Sequence, residues 1–365
     1  MRKVIFLHRK FPQSKHQLDL LLNRWNEYGK LLADSNDGYG ITIVCFSRPV
    51  SLQRSLKART NIADLDSLKF MFGISSVIKE VSIAKSNYTI VCGDNQLMLL
   101  LGLYLRSLYR RSVRLQIQFH GNTYSFFANK GIVGKIRVLI SRIGIYFADS
   151  IRIVSNFQIR EIQRIYPWSK PTFVLAPIPI DFMKIPTERL KQLYDVIIVG
   201  RLQQERGTTE MIKIVHDLIG IDSSLKIAIA GLGPDLEIIK ERLNLDEPCN
   251  SVSLLGHLSS DSLKDLYSHS RVLLSCAPQE GYGLTIREAA LSGMHVVAKE
   301  SKGAREALES YKNSIHLYVT REQAIQHIIN LLETQVHVDH ENLKELQREL
   351  DQKSMLTLVK SWTQT

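Results

Sequence analysis

Gln279–Ser292, QEGYGLTIREAALS, is the stretch on which the reading of this chain turns. It runs from a short loop with two glycines into a helix. Gly281 and Gly283 let backbone approach a ligand closely and tolerate positive φ. The helix expected from Leu284 presents its first N–H groups, at Leu284 and Thr285, and the positive end of its dipole, which suits a phosphate. Glu280 precedes that anion site, Tyr282 lies inside the loop, and Glu288 follows about one turn later. Carboxylate, anion-binding helix start and second carboxylate can hold sugar, diphosphate and ribose in order. Two glutamates eight apart are common by chance, whereas EGYGL running into a helical REA segment is far more specific.

Further stretches point the same way. Asp195–Gly200, DVIIVG, is a buried strand, and GRLQQERG follows with Arg201 and Arg206 between Gly200 and Gly207. Two guanidinium groups on a loop that leaves a strand and enters a helix suit a diphosphate, because each offers fork-shaped paired donors. The bland alternative for Arg206 is an ion pair with Glu205 or Glu210. Leu225–Ala230 is the next strand and leaves through Gly231–Pro234; GLGPDL lacks the third glycine of a dinucleotide fingerprint. Val252–Leu255 then runs to Gly256, His257 and Leu258, and Val272–Cys276 leads into the loop at Gln279.

With these motifs the chain resembles the retaining glycosyltransferases of family 4, the group 1 glycosyltransferases. Glu280 and Glu288 match that family's E-x7-E, and GRLQQERG matches its G-R-L-x3-K-G with Arg206 in the lysine's place. The match is dense from about Tyr194 to Leu308 and rests on strand order alone before Asn87. The resemblance implies an α/β chain of the GT-B fold: two Rossmann-like domains with mostly parallel sheets facing a central cleft. It divides the chain into an acceptor-side domain over 1–180, a nucleotide-sugar-binding domain over 181–345 and a C-terminal helix over 346–365 that crosses back to the first domain. The proline-rich APIPI at Ala176–Ile180 stands at the junction.

The resemblance also assigns roles. Gly200, Arg201, Arg206, Gly231, His257, Leu258 and the segment Glu280–Thr285 (Gly281, Tyr282, Gly283 and Leu284 included) bind the donor. Glu288 takes the ribose hydroxyls and Glu280 the hydroxyls of the transferred sugar. His120, at the end of the strand Leu115–Phe119 and followed by Gly121, touches that sugar. Arg201, Arg206 and the helix start stabilise the charge that develops on the leaving diphosphate, so neither a metal nor a cofactor is called for. The donor is a UDP- or GDP-sugar, the acceptor a glycan, lipid-linked or small molecule, and cell-surface polysaccharide synthesis the expected setting. The loop Phe11–Gln17 departs from the family: KFPQSKHQ has no glycine where the family is glycine-rich. Two other readings stay open, a catalytically silent nucleotide-sugar binding or scaffold protein and a sugar-nucleotide epimerase of the same fold.

Length and composition fit this picture. The chain has 365 residues and 44% hydrophobic residues, enough for two globular cores. MRKVIFLHRKFP has too short an apolar run for a secretion signal, so a cytoplasmic protein is expected. Cys45, Cys92, Cys249 and Cys276 are scattered and read as reduced and structural. Through Phe182 there are 26 Lys+Arg against 11 Asp+Glu, a balance of +15; the remainder carries 21 against 25, a balance of −4, and the two recover the total of +11. The first half therefore faces something anionic. Arg106, Arg110, Arg111 and Arg114 form one basic stretch. Lys130–Arg142 forms another, where Lys135, Arg137 and Arg142 interrupt an apolar helix. An acidic membrane surface is a candidate partner. Nucleic acid is not, because no recognised module or aromatic–basic interleaving is present.

Alternation of strands and helices fills the first half. Val4–Leu7, Ile41–Phe46, Tyr88–Cys92, Leu115–Phe119, Ile151–Val154 and Thr172–Ala176 read as strands. Leu18, Leu21, Leu22, Trp25, Tyr28 and Leu32 recur at helical spacing. The sequence after Lys299 is expected to give a turn to Gly303, a strand at Ser314–Tyr318 and helices over Ala324–Leu332, Leu343–Leu350 and Met355–Trp362.

Overall fold

The structure, a computed structural model, describes residues 2–8, 15–33, 40–45, 68–72, 78–79, 81, 87–93, 96–109, 112–119, 131–168, 171–180, 192–245, 251–334 and 341–363. His120, Gly121, Asn122, Lys130, Arg110, Arg111, His337 and His340 lie outside them, as do residues 11–14. The chain forms two compact units, Met1–Pro177 with Gln352–Thr365, and Ile178–Asp351.

The first unit is built on a seven-stranded parallel sheet. In chain order its strands are β1 (Arg2–His8), β2 (Gly40–Cys45), β3 (Leu68–Phe72), β4 (Asn87–Cys92), β5 (Val113–Gln118), β6 (Ser150–Ile153) and β7 (Thr172–Leu175), and they lie in the order β3-β2-β1-β4-β5-β6-β7. The period of two divides each strand between two cores. Ile5 and Leu7 of β1, with Ile90 and Leu115, pack on α2 (Gln96–Leu108) and α3 (Gly131–Phe147). Val4 and Phe6 turn to the other face, where α1 (Lys15–Ala33) brings Trp25, Tyr28 and Leu32. Helix α4 (Asn156–Ile165) follows β6. Lys15, His16 and Gln17 are thus the first turn of α1, not part of a loop as expected.

The second unit repeats the plan with six parallel strands: β8 (Tyr194–Val199), β9 (Ile227–Ala230), β10 (Val252–Gly256), β11 (Ser270–Ser275), β12 (His295–Lys299) and β13 (Ile315–Tyr318), in the order β10-β9-β8-β11-β12-β13. Near-continuous apolar strands are what a sheet covered on both faces demands. Val196, Ile227, Ile229, Val272 and Leu274 pack on α5 (Thr208–Ile221) and α10 (Arg321–Thr334). Ile197, Ala228, Leu273 and Val296 pack on α7 (Ser260–Ser268), α8 (Leu284–Leu291) and α9 (Lys302–Ser310). Helix α6 (Leu236–Arg242) lies between β9 and β10.

Three elements depart from the sequence expectations. Strand β3 was not foreseen, since LKFMF stands at the end of a polar stretch and does not alternate. Helix α9 replaces the expected turn: Ser301 accepts the N–H of Ala304 at 3.2 Å as an N-cap, and Ala304 and Ala307 are buried at helical spacing. The two expected C-terminal helices are one, α11 (Glu341–Thr363). DQKS at 351–354 holds neither Pro nor Gly, so nothing ends the helix there. Residues 352–363 of α11 belong to the first unit. Trp362 stands edge-on to the rings of Phe6 and Tyr28, with centroids 5.2 and 5.3 Å away. Its indole donates to Gln116 Oε1 at 2.7 Å, and its carbonyl accepts from Thr89 Oγ1 at 2.8 Å.

Candidate functional site

In the second unit the strand order reverses between β8 and β11, and in open parallel sheets ligands bind past the carboxyl ends of strands at such a point. The loops that leave β8 and β11 carry the two motifs singled out in the sequence. After β8 come Gly200, Arg201 and a short 3-10 turn, Gln204–Arg206, and then Gly207 starts α5. Gly207 has φ 82°, and a Cβ there would stand 2.0 Å from the carbonyl oxygen of Cys276 in the facing loop. Only glycine meets both demands. A cavity between the two strand ends is lined by Gly200, Arg201, Arg206, Thr208, Ser275 and Cys276.

Neighbouring strand ends are stitched together. Gly200 N–H donates to Ala230 O at 3.0 Å, Gly231 N–H to Gly256 O at 2.7 Å and Leu202 N–H to Leu232 O at 3.0 Å. A Cβ on Gly231 would fall 1.8 Å from Gly200 O. These glycines therefore let the strand ends close up. His257 is exposed just past β10, and Leu258 is partly buried against the core.

Arg206 does not pair with Glu205 or Glu210. Its Nη1 donates to Glu280 Oε2 at 2.8 Å, joining the two motif loops directly. Glu210 instead pairs with Lys299 at 2.9 Å. The other oxygen of Glu280, Oε1, accepts the N–H groups of Gly281 and Gly283 at 3.2 and 3.3 Å. Part of the donor set expected to face a phosphate is thus turned on the Glu280 carboxylate, whereas Leu284 and Thr285 form the first turn of α8 behind it. Gly283, in the left-handed region at φ 71°, sets the entry into that helix. Arg201 is exposed at the cavity mouth.

Side chains absent from the sequence reading hold this loop. Arg287 is buried; its Nε donates to Tyr282 O at 3.0 Å, and its guanidinium lies 4.4 Å from the centre of the Tyr282 ring. The Tyr282 ring is itself buried and its hydroxyl reaches Ile178 O at 3.4 Å, so what Tyr282 offers a ligand is backbone. Gly303 N–H, at the start of α9, donates to Glu280 O at 3.1 Å. The signal for Arg287 was present, an arginine on the inward face of a short helix, but a charge at that spacing reads as solvated until its aromatic partners are seen.

Glu288 projects from the second turn of α8. Burial pushes its carboxyl up to about 7, while the hydroxyl of Tyr267 on α7, 3.3 Å from Oε2, pulls the other way. The same burial, with the Glu288 charge beside it, lifts the Tyr267 phenol well above its usual range. The site thus pairs a cationic edge, Arg201 and Arg206, with a neutralisable carboxylate one helix turn further in.

Residues 181–352 match the family described as "Glycosyl transferases group 1". The second unit belongs to this family. Among curated relatives of this group 1 unit, the phosphatidylinositol N-acetylglucosaminyltransferase gpi3 subunit of Schizosaccharomyces pombe is 25% identical over 139 residues. That match covers 37% of this chain and 30% of the relative, so the chain matches under a third of that protein's length. Solved structures resemble it over almost the whole chain. Sucrose-phosphate synthase from Thermosynechococcus elongatus superposes with a TM-score of 0.67 at 15% identity, covering 99% of this chain and 98% of that one. The pneumococcal O-GlcNAc transferase GtfA, crystallised with UDP and GlcNAc, gives 0.65 at 10% identity, covering 100% and 99%. The likeness shows the fold: this chain has the GT-B fold.

Proposed function

We propose that the chain is a retaining glycosyltransferase of family 4 that moves a hexosyl group from a nucleoside-diphosphate sugar to a glycan or lipid-linked acceptor hydroxyl. One observation carries this reading. Arg206 and Glu280 meet at 2.8 Å across the switch point, so that diphosphate-binding and sugar-binding side chains converge from two loops. Arg206 spends one of its five N–H donors on Glu280; a guanidinium can bind phosphate through the rest.

In the transfer, the bond between the anomeric carbon and the diphosphate oxygen breaks, and its electron pair stays on that oxygen. Arg201, Arg206 and the N–H groups at Leu284 and Thr285 stabilise the charge that appears there. The acceptor oxygen bonds to the anomeric carbon on the face the diphosphate leaves. The acceptor's proton passes to the leaving diphosphate oxygen, so charge and configuration are conserved. Glu280 positions the sugar hydroxyls, and Glu288 receives the ribose hydroxyls. His120 is assigned to the transferred sugar by the family resemblance. Backbone at Gly231, His257 and Leu258 flanks the base. These residues supply the charge stabilisation without a metal ion.

UDP-N-acetylglucosamine is the donor to try first, since GtfA was crystallised with UDP and GlcNAc, followed by other UDP- and GDP-sugars. The test is incubation of each donor with simple glycosides and lipid-linked acceptors, with the product's anomeric proton coupling read by NMR. A product with the donor's configuration supports the proposal. An inverted product, or an epimerised donor with no transfer, contradicts it.

A further inference from the structure

Arg287 is a buried charge on the inward face of α8 to which the transfer as written gives no role. Its Nε donates to Tyr282 O at 3.0 Å. That carbonyl belongs to the same peptide group as the N–H of Gly283. The group is planar and trans, so the two point in opposite directions. On the far side, Gly283 N–H donates to Glu280 Oε1 at 3.3 Å. One peptide therefore carries the setting of Arg287 across to the carboxylate assigned to the sugar hydroxyls. Gly281 and Gly283 flank Tyr282 and give this backbone little stiffness of its own, so its direction depends on what braces it.

Arg287 is in turn held. Its guanidinium lies 4.4 Å from the centre of the Tyr282 ring and 5.7 Å from that of Tyr311, which follows α9. Arginine suits such a place, because its planar cation is weakly hydrated and stacks on aromatic faces. The Tyr311 hydroxyl donates to Gln347 Oε1 on α11. Gln347 Nε2 donates to Asp351 Oδ1 at 2.6 Å, four residues along the same helix, and Asp351 Oδ2 accepts the N–H of Ile180 at 3.1 Å. Burial pushes the Tyr311 phenol up to about 12, so its proton stays in place as the donor across the neutral range. Arg287, Tyr311, Gln347 and Asp351 are all buried, and a buried, hydrogen-bonded polar chain stiffens what it joins. The chain of contacts closes on itself, because the Tyr282 hydroxyl reaches Ile178 O, two residues from Ile180. The loop that carries Glu280 is thus braced against Ile178 and Asp351, the first and last residues of the second unit.

We propose that Arg287 is a positioning residue for the transfer: through the Tyr282–Gly283 peptide it aims Glu280 at the sugar, and Tyr311, Gln347 and Asp351 hold it in register. This rests on the sugar-positioning role given to Glu280 above.

Steady-state transfer by the full chain tests it, with UDP-N-acetylglucosamine first and then the other UDP- and GDP-sugars as donor. The variants are Arg287→Met, which keeps the bulk and loses the donors, Tyr311→Phe, which loses one hydroxyl, Glu280→Gln, and Arg287→Met combined with Glu280→Gln. Thermal melting checks the fold, and kcat is taken per competent site by titration with the donor's nucleoside diphosphate. Arg287→Met is expected to lower kcat at least about 10-fold and Tyr311→Phe at least about 3-fold, with the donor KM within about 3-fold of wild type. In the Glu280→Gln background Arg287→Met should add less than about 2-fold, because it acts through that carboxylate. A scaffold role would instead lower the number of competent sites and multiply with Glu280→Gln. Multiplied losses overturn the proposal, as does a wild-type kcat in either Arg287→Met or Tyr311→Phe. Where Arg287→Met does not fold, Tyr311→Phe takes its place beside Glu280→Gln. A folded wild type that transfers no sugar overturns the transferase reading and this proposal with it, whereas an active wild type with unaffected variants overturns this proposal alone.

Discussion

Glu288 carries a buried carboxyl whose proton is held up to about pH 7, and this has two measurable consequences. The folded value lies above the ordinary one of 4.5. Between the two values the folded chain keeps a proton that the unfolded chain has lost. Stability therefore falls as pH rises from about 4.5 to about 7 and is level beyond, by at most about 3 kcal/mol. Glu288→Gln should abolish that slope and raise the melting temperature at pH 8. The same variant should weaken nucleotide binding if ribose hydroxyls donate to the ionised carboxylate. A variant that melts with the wild-type pH slope would remove Glu288 as its source. Glu280 calls for a different expectation. It is fixed by Arg206 and two N–H groups, and Glu280→Gln relaxes its hold on Arg206. Nucleoside-diphosphate affinity should stay within a few-fold of wild type or rise, while kcat falls at least about 100-fold, the size of a lost electrostatic or positioning contact. Equal losses in affinity and kcat would make Glu280 a scaffold for Arg206 instead.

At the scale of elements, two close contacts set the site and the first unit. Gly207 joins the 3-10 turn to α5 in the left-handed region, against Cys276 O. Gly207→Ala should cost at least about 2 kcal/mol by denaturant unfolding, from backbone strain and the steric clash together. It should also displace Arg206. Trp362 seals α11 onto β1 and α1, and Trp362→Ala should cost about 3–5 kcal/mol. Most of these elements were legible in the sequence. DVIIVG announces β8 by its uninterrupted apolar run, and EGYGL announces the loop into α8 by its glycines. Strand β3 was not legible, because five residues without alternation carry no period. Helix α9 was hidden by Gly303, which reads as a turn residue although it serves here as the close approach to Glu280 O. The partner of Arg206 was also out of reach. Local spacing pointed to Glu205 and Glu210, whereas the true partner is 74 positions away and arrives through the parallel pairing of β8 and β11.

At the scale of the whole molecule, the sequence reported the charge balance of +15 and −4 but not its geometry. Basic residues were visible on α3; that its small residues, Gly134, Ser141 and Gly144, face inward was not, because the helical period alone cannot say which face a sheet covers. The two sheets share one logic. Each reverses its strand order beside its first strand, and in the second unit that reversal is where the family's residues collect. The central claim is that this switch point binds a nucleoside diphosphate through Arg201 and Arg206. Calorimetric titration of the wild type and Arg201→Ala with UDP, GDP, ADP and CMP tests it most directly. The account predicts micromolar binding of one nucleoside diphosphate, weakened by at least about 1.5 kcal/mol, roughly 10-fold, in Arg201→Ala. Folded protein that binds none of the four, or a variant that binds as tightly as the wild type, would contradict it.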